Sequence, residues 1–288
     1  MKRILLLLVA IATMTVSCKA QPEQPAEIDA RYTEEDVARF NEVMSFLADS
    51  RDASMPETVI KVAKHLVGTP YVAYTLEIEP EQLTVNTRET DCILFVEMCL
   101  AMSLTSKEEN PSFEKYCDNL RNLRYRDGVV DGYASRLHYT SEWILQGEGR
   151  GIFHEITGEI GGKPYDQKFS FMSTHPDSYK QLKNDPAQLE KIKEVEKNLE
   201  RHDYFVIAKS DLGQSVPEIK NGDIVCFNDS HEGLDIAHVG YAYWKTDDLH
   251  FIHASFTRKR VIINETPLVD YTNGVKGHNG LRVVRLAD

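Results

Sequence analysis

The sequence predicts an α+β fold, with helices first and an antiparallel sheet afterwards. Two observations carry this expectation. Up to about residue 124 the apolar residues recur at helical spacing, and from 204 onward they follow the period of strands. Turn signals at Asn221-Gly222, Thr246-Asp247-Asp248 and Asn279-Gly280 punctuate the second half.

Residues 33–67 read as helices. Thr33 is an N-cap, and Glu34, Glu35 and Asp36 after it suit the positive end of a helix. Met55-Pro56-Glu57 opens a second period through Val59, Ile60, Val62, Ala63 and Leu66, which Gly68-Thr69-Pro70 breaks. Residues 91–105 are apolar nearly all round, so that helix belongs in the interior. Another helix is expected over 112–124. Residues 146–186 mix Gly, Pro, Ser and Lys with short apolar pieces, and 186–201 read as a charged helix with a solvated face. Strands are expected at 204–208, 224–227, 236–244, 249–255, 261–264 and 281–286.

The N-terminus reads as a targeting segment, residues 1–17. Lys2 and Arg3 precede an apolar run from Ile4 to Ile11 that is too short to span a bilayer. Thr15-Val16-Ser17-Cys18 resembles a loose lipobox, which makes Cys18 the expected lipidated first residue; ordinary cleavage after Ala20 is the competing reading. Residues 18–30, rich in Gln, Pro and Glu, read as a flexible tether. The chain is therefore expected to be exported to the periplasm and held to a membrane through Cys18. Residues 31–288 are expected to form one α+β domain, with an insertion at about 106–203 shaping its cleft. The formal charge of −12 becomes −14 without Lys2 and Arg3, and no basic stripe exists to displace the counterions of a nucleic acid.

Cys92 heads the apolar helix, in Thr90-Asp91-Cys92-Ile93-Leu94-Phe95. If Thr90 or Asp91 caps that helix, free N–H groups of the first turn favour the thiolate and can hold an oxyanion. The plainer reading is one more buried cysteine, which is how Cys99 and Cys226 read; Cys117 stays open. Cys92 and Cys99 on one helix stand about 10 Å apart, beyond disulfide reach. Two histidines favour the chemical reading. An even-numbered turn near 245–248 pairs Trp244 with Leu249 and Gly240 with His253, so that His238 and His253 project from one sheet face. His238 is then the base for the thiol and His253 its orienter. A zinc site is disfavoured: His250 and His253 point to opposite faces, and Cys-x-x-Cys and His-Glu-x-x-His are both absent from the sequence.

Gly68-Thr69-Pro70-Tyr71, Asp91-Cys92, His238-Val239-Gly240 and Ile252-His253-Ala254-Ser255, in that order, resemble the NlpC-type cell-wall cysteine peptidase superfamily. The resemblance implies a papain-like core with Cys92 as nucleophile, His238 as base, His253 as third polar residue and Tyr71 beside the nucleophile. Ile93 stands where the common pattern has serine, and the span from Cys92 to His238 is long. Both departures, with Arg124-Tyr125-Arg126-Asp127-Gly128 and Ser135-Arg136-Leu137-His138-Tyr139-Thr140-Ser141-Glu142-Trp143, resemble the N-acetylmuramoyl-L-alanine amidase-like branch. That branch implies cleavage of the amide between N-acetylmuramic acid and L-alanine in peptidoglycan fragments, with no metal or organic cofactor.

In that segment Tyr139 and Trp143 offer flat faces to a pyranose ring, Arg136 can grip a carboxylate, and His138 lies between them. Simple packing of Leu137, Tyr139 and Trp143 is the even alternative. Asp91 either binds substrate or only caps the helix. Two rival functions remain: a γ-D-glutamyl-diaminopimelate endopeptidase of the same superfamily, and a non-catalytic lipoprotein that binds peptidoglycan.

Overall fold

The computed structural model describes residues 28–287. The expected signal segment and Cys18 lie outside the described residues. Ile28 and Ala30, at the end of the expected tether, pack against the main core, and Arg31 N–H donates to Leu83 O at 2.7 Å.

The early helices begin where their caps say. Helix α1 (Glu34–Phe46) carries a capping box: Thr33 N–H donates to Asp36 Oδ2 at 2.9 Å and Asp36 N–H donates to Thr33 Oγ1 at 3.3 Å. Helix α2 (Met55–His65) has the same device in Ser54 and Glu57. Asp36 also accepts from Thr87 N–H at 2.8 Å, which ties α1 to the chain leading into α3 (Cys92–Ser106). From Leu94 onward α3 is buried on nearly every side, as its all-round apolar sequence requires. Helix α4 (Phe113–Arg124) packs across it, followed by α5 (Thr140–Gly149).

Two strands then appear inside the expected insertion, β1 (Phe153–Glu155) and β2 (Lys163–Tyr165). The sequence reading missed both, since three residues are too few to show a period. Next come α6 (Phe171–Thr174), α7 (Lys180–Lys183), α8 (Pro186–Leu199), β3 (Tyr204–Ala208) and α9 (Leu212–Ser215). The chain closes with β4 (Ile224–Asp229), β5 (Ile236–Lys245), β6 (Asp248–Ser255), β7 (Arg260–Ile263), α10 (Leu268–Gly274) and β8 (His278–Leu286).

The strands form one antiparallel sheet in the order β2-β3-β8-β4-β5-β6-β7, with β1 added to β8. Alternate residues serve two cores. Cys226, Val239, Tyr241, Ile252 and Ala254 face the helical layer of α1–α4. Val225, Phe227, Ala242, Phe251 and Leu281 face the opposite layer, with Leu212 of α9 and Leu268 of α10. A third cluster, from Tyr133 and Tyr139 to Leu199 and Tyr204, holds α6–α8 against the sheet edge. The fold is thus mixed α/β with an antiparallel sheet.

The segment after α2 positions the site. Gly68 N–H donates to Val261 O at 2.9 Å, Val261 N–H to Thr69 O at 2.8 Å, and Tyr71 N–H to Lys259 O at 3.0 Å, so 68–71 runs beside β7. Thr90 N–H donates to Pro70 O at 3.0 Å, which draws the start of α3 alongside. Gly68 makes this turn at φ 99°, a conformation a side chain resists.

Candidate active site

Asp91 is the N-cap of α3: its Oδ1 accepts from Leu94 N–H at 3.0 Å. Cys92 therefore occupies the first helical turn. Cys99, Cys117 and Cys226 are buried, while Cys92 is partly exposed, and all four are free thiols. The backbone N–H groups of Val239, Ile93 and Cys92 face the sulfur, which puts it against β5 one residue from His238.

The histidines come together as the hairpin register requires. A two-residue turn, Thr246-Asp247, follows Lys245 paired with Asp248, and pairing runs back through Trp244–Leu249 to Tyr241–Ile252. His238 Nε2 and His253 Nδ1 are 2.6 Å apart. A bulge precedes His238: Phe227 pairs with His238 but Asn228 pairs with Ile236, so Ala237 is the extra residue. Such bulges re-aim the next side chain. Phe227 stacks on the His238 ring at 5.8 Å, and Phe251 packs on His253 at 4.4 Å. Gly240 is needed here, because a Cβ would stand 2.8 Å from Ile252 O and 3.0 Å from His253 Cβ.

The electrostatics correct one expectation. Burial, then the neighbouring Asp91 carboxylate, push the Cys92 thiol up to about 12, against the pull of the three N–H groups. Burial also pushes His238 well below the usual histidine value and His253 down to about 4. In the free site the pair is thus a neutral thiol and a neutral imidazole. Among the described residues no hydrogen bond joins Cys92 to His238.

Tyr71 lies next to the thiol. Burial, then Cys92, hold its phenol up to about 12, and its ring meets the exposed Phe256 edge-on at 5.6 Å. Beside Cys92 opens a cavity of about 180 Å³ whose walls include Asp91, Ile93, Tyr74, Glu77, Arg136 and His138. Arg136 is buried within it, 3.1 Å from Glu77 and 3.5 Å from Glu81, with its guanidinium 4.9 Å from the Tyr133 ring centre. His138 Nε2 is 2.8 Å from Tyr133 O, and burial, then Arg136, push it down to about 3.

Tyr139 and Trp143 are corrections. Both are 2% exposed and present no face to a ligand. Tyr139 Oη donates to Glu196 Oε1 at 2.8 Å inside the third cluster, and Trp143 stacks on Phe153 at 4.6 Å. An aromatic residue near a cleft is as readily drawn into the core, and flatness alone does not say which.

The sequence reading missed three neighbours of the histidines. His278 stacks on Phe227 at 5.0 Å and its charge would depress His238 further. Tyr271 of α10 reaches within 6.1 Å of His253, ring centre to ring centre. Asn264 lies beyond β7, one diagonal step from His253: Ile262 pairs with His253, and Asn264 N–H donates to Phe251 O at 2.8 Å. Its side chain supports protonation of His253. Only the parity of β6 and β7 points to it in the sequence.

This fold and site define an amidase-like mixed α/β protein. The chain belongs to the AmiA-like family, N-acetylmuramoyl-L-alanine amidase-like, which matches residues 61–278. It is similar to a crystal structure of an N-acetylmuramoyl-L-alanine amidase from Bacteroides uniformis, with 36% identity over 81% of this chain and 99% of that one, at a TM-score of 0.77. A Bacteroides fragilis structure with a provisional xylanase name has 37% identity over 78% of this chain and 99% of that one, at 0.74. A Legionella pneumophila protein shares the fold at 0.66 with 20% identity, covering 88% of this chain and 95% of that one. No curated protein matches the chain.

Proposed function

We propose that this chain is a cysteine amidase that hydrolyses the bond between N-acetylmuramic acid and L-alanine in peptidoglycan fragments, on a core of the papain-like, NlpC kind. One observation carries the reading: the partly exposed cysteine sits in the first turn of α3 against Val239, beside a His238–His253 pair 2.6 Å apart.

Asn264 Nδ2 donates to Thr266 O at 2.7 Å, and the buried His253 Nε2 has no hydrogen-bond partner among the described residues, so we assign Asn264 Oδ1 as the acceptor for a proton on that nitrogen. His253 Nδ1 then accepts from His238 Nε2–H, and His238 Nδ1 is the free base. As substrate closes the site, His238 takes the Cys92 proton while sulfur attacks the lactyl carbonyl. First-turn N–H groups hold the oxyanion. The proton passes to the leaving L-alanine nitrogen, and water activated by His238 hydrolyses the thioester. Arg136 and His138 line the substrate cavity. Residues 1–17 act as an export signal, with Cys18 as lipid anchor.

A glycosidase needs two carboxylates free to flank one bond. Here Asp91 is committed to Leu94 N–H, Glu97 to Arg124 at 2.8 Å and Glu77 to Arg136, so the amide reading is better supported. Mass spectrometry of products from a defined disaccharide-tetrapeptide tests it. Release of free peptide beginning with L-alanine, lost in Cys92→Ala, is the expected result. Release of a disaccharide-dipeptide supports the endopeptidase instead, and binding without turnover supports a binding lipoprotein.

A further inference from the structure

The cavity beside Cys92 continues into a second one. Tyr74 and Glu77 wall both, and the second, of about 440 Å³, is completed by Tyr133, Ser178, Tyr179 and Gln181. Tyr74 is the unusual member. It is 83% exposed, and its φ of 64° places a bulky residue in the left-handed region. A side chain resists that conformation, and here it holds the ring out at the junction of the two spaces. Opposite it, Tyr179 is half-buried and Tyr133 is buried, both anchored in the third cluster. Lys180 Nζ bridges to Glu79 Oε2 at 2.6 Å, which ties α7 to the 77–81 loop at the pocket rim.

We infer that the Tyr74–Tyr133–Tyr179 pocket is the subsite for the N-acetylhexosamine ring on the acyl side of the scissile amide. This rests on the amidase reading and replaces the buried Tyr139 and Trp143 as the sugar reader. The geometry gives the direction. His238 must reach the departing nitrogen, so the peptide leaves on the histidine side of Cys92. The cavity walled by Asp91, Ile93 and Tyr74 has neither His238 nor His253 among its walls and takes the acyl group. In a muramyl substrate that acyl group is the lactyl arm of the sugar. The pocket offers what a pyranose needs: the faces of Tyr74 and Tyr179 for its C–H surface, and Ser178, Gln181 and Glu77 for its hydroxyl and acetamido groups. The buried Tyr133 is the back wall, with Arg136 and His138 against its ring.

Two substrates test this: a disaccharide–L-Ala peptide, and the same peptide carrying only an N-lactyl group. In Tyr74→Ala the ratio of kcat/KM for the first over the second should fall about tenfold, with most of the ratio restored in Tyr74→Phe. An unchanged ratio overturns the subsite. Calorimetry on Cys92→Ala with the muramyl disaccharide alone and the stem peptide alone gives a readout independent of turnover. Adding Tyr74→Ala should weaken only the disaccharide, whereas equal weakening of both, or no disaccharide binding to Cys92→Ala itself, overturns the subsite. If wild type cuts neither substrate, the amidase reading falls while the calorimetry still decides the subsite.

Discussion

His238 and His253 meet at 2.6 Å, Nε2 to Nδ1, because a two-residue turn sets the β5–β6 register and one extra residue, Ala237, turns β5 just before His238. Their shared proton makes His238 Nδ1 the free base only if His253 Nδ1 accepts. In the proposed mechanism Asn264 would hold that tautomer from the far side of His253, by offering its Oδ1 to the buried, unpaired Nε2. Asn264→Ala is therefore expected to lower kcat about tenfold with KM little changed, and His253→Ala by about 10²–10⁴-fold. Steady-state kinetics read both. A fall confined to KM in Asn264→Ala would remove its positioning role.

The free thiol is neutral, held up to about 12 where an ordinary thiol has 9.0. Alkylation of Cys92 by iodoacetamide should thus keep rising with pH past 9.0, with Cys99, Cys117 and Cys226 protected by burial. Peptide mapping of the labelled protein checks this. A rate already level in mild acid would mean a preformed thiolate–imidazolium pair.

Buried neutral histidines make stability depend on pH in one direction. His253 and His278 lie at about 4 in the folded chain against 6.5 for the ordinary side chain, and His138 at about 3. The unfolded chain binds these protons first, so stability is full above 6.5 and declines as pH falls toward 4. Thermal melting across that window should show a falling Tm, and His138→Gln should flatten the decline. A flat Tm would mean these rings are solvated.

Arg124 and Glu97 are a buried pair, 2.8 Å apart with side chains 5% and 4% exposed. Arg124→Met alone leaves a buried carboxylate and should cost about 3–5 kcal/mol. The double variant with Glu97→Leu should recover most of that loss in urea titrations. Equal losses in the single and double variants would show that the pair contributes nothing by being matched.

Tyr139 belongs to packing. Tyr139→Phe removes the bond to Glu196 and the acceptor for Met172 N–H at 3.2 Å, with an expected loss of about 1–3 kcal/mol and an unchanged KM. A raised KM at full stability would return Tyr139 to the substrate.

The sequence made the outline legible because its signals were local. The Thr33 cap, the Asp91 cap and the strand parity at His238 and His253 each depend on a few neighbouring residues. What it hid depends on tertiary placement. Strands β1 and β2 are too short for a period, the Ala237 bulge shows only against β4, and Tyr74 reveals itself by a backbone angle. The helix start at Cys92 argued for a thiolate, but burial and Asp91 outweigh it, and neither magnitude can be read from spacing.

The most direct measurement is rapid acid quench of wild type with a disaccharide-tetrapeptide, followed by intact-protein and peptide mass spectrometry. The expected result is a transient muramyl-containing acyl group on the Cys92 peptide, absent in Cys92→Ala and strongly reduced in His238→Ala, which lacks the base for the attack. A peptidyl acyl group on Cys92, or undiminished turnover in Cys92→Ala, would contradict it.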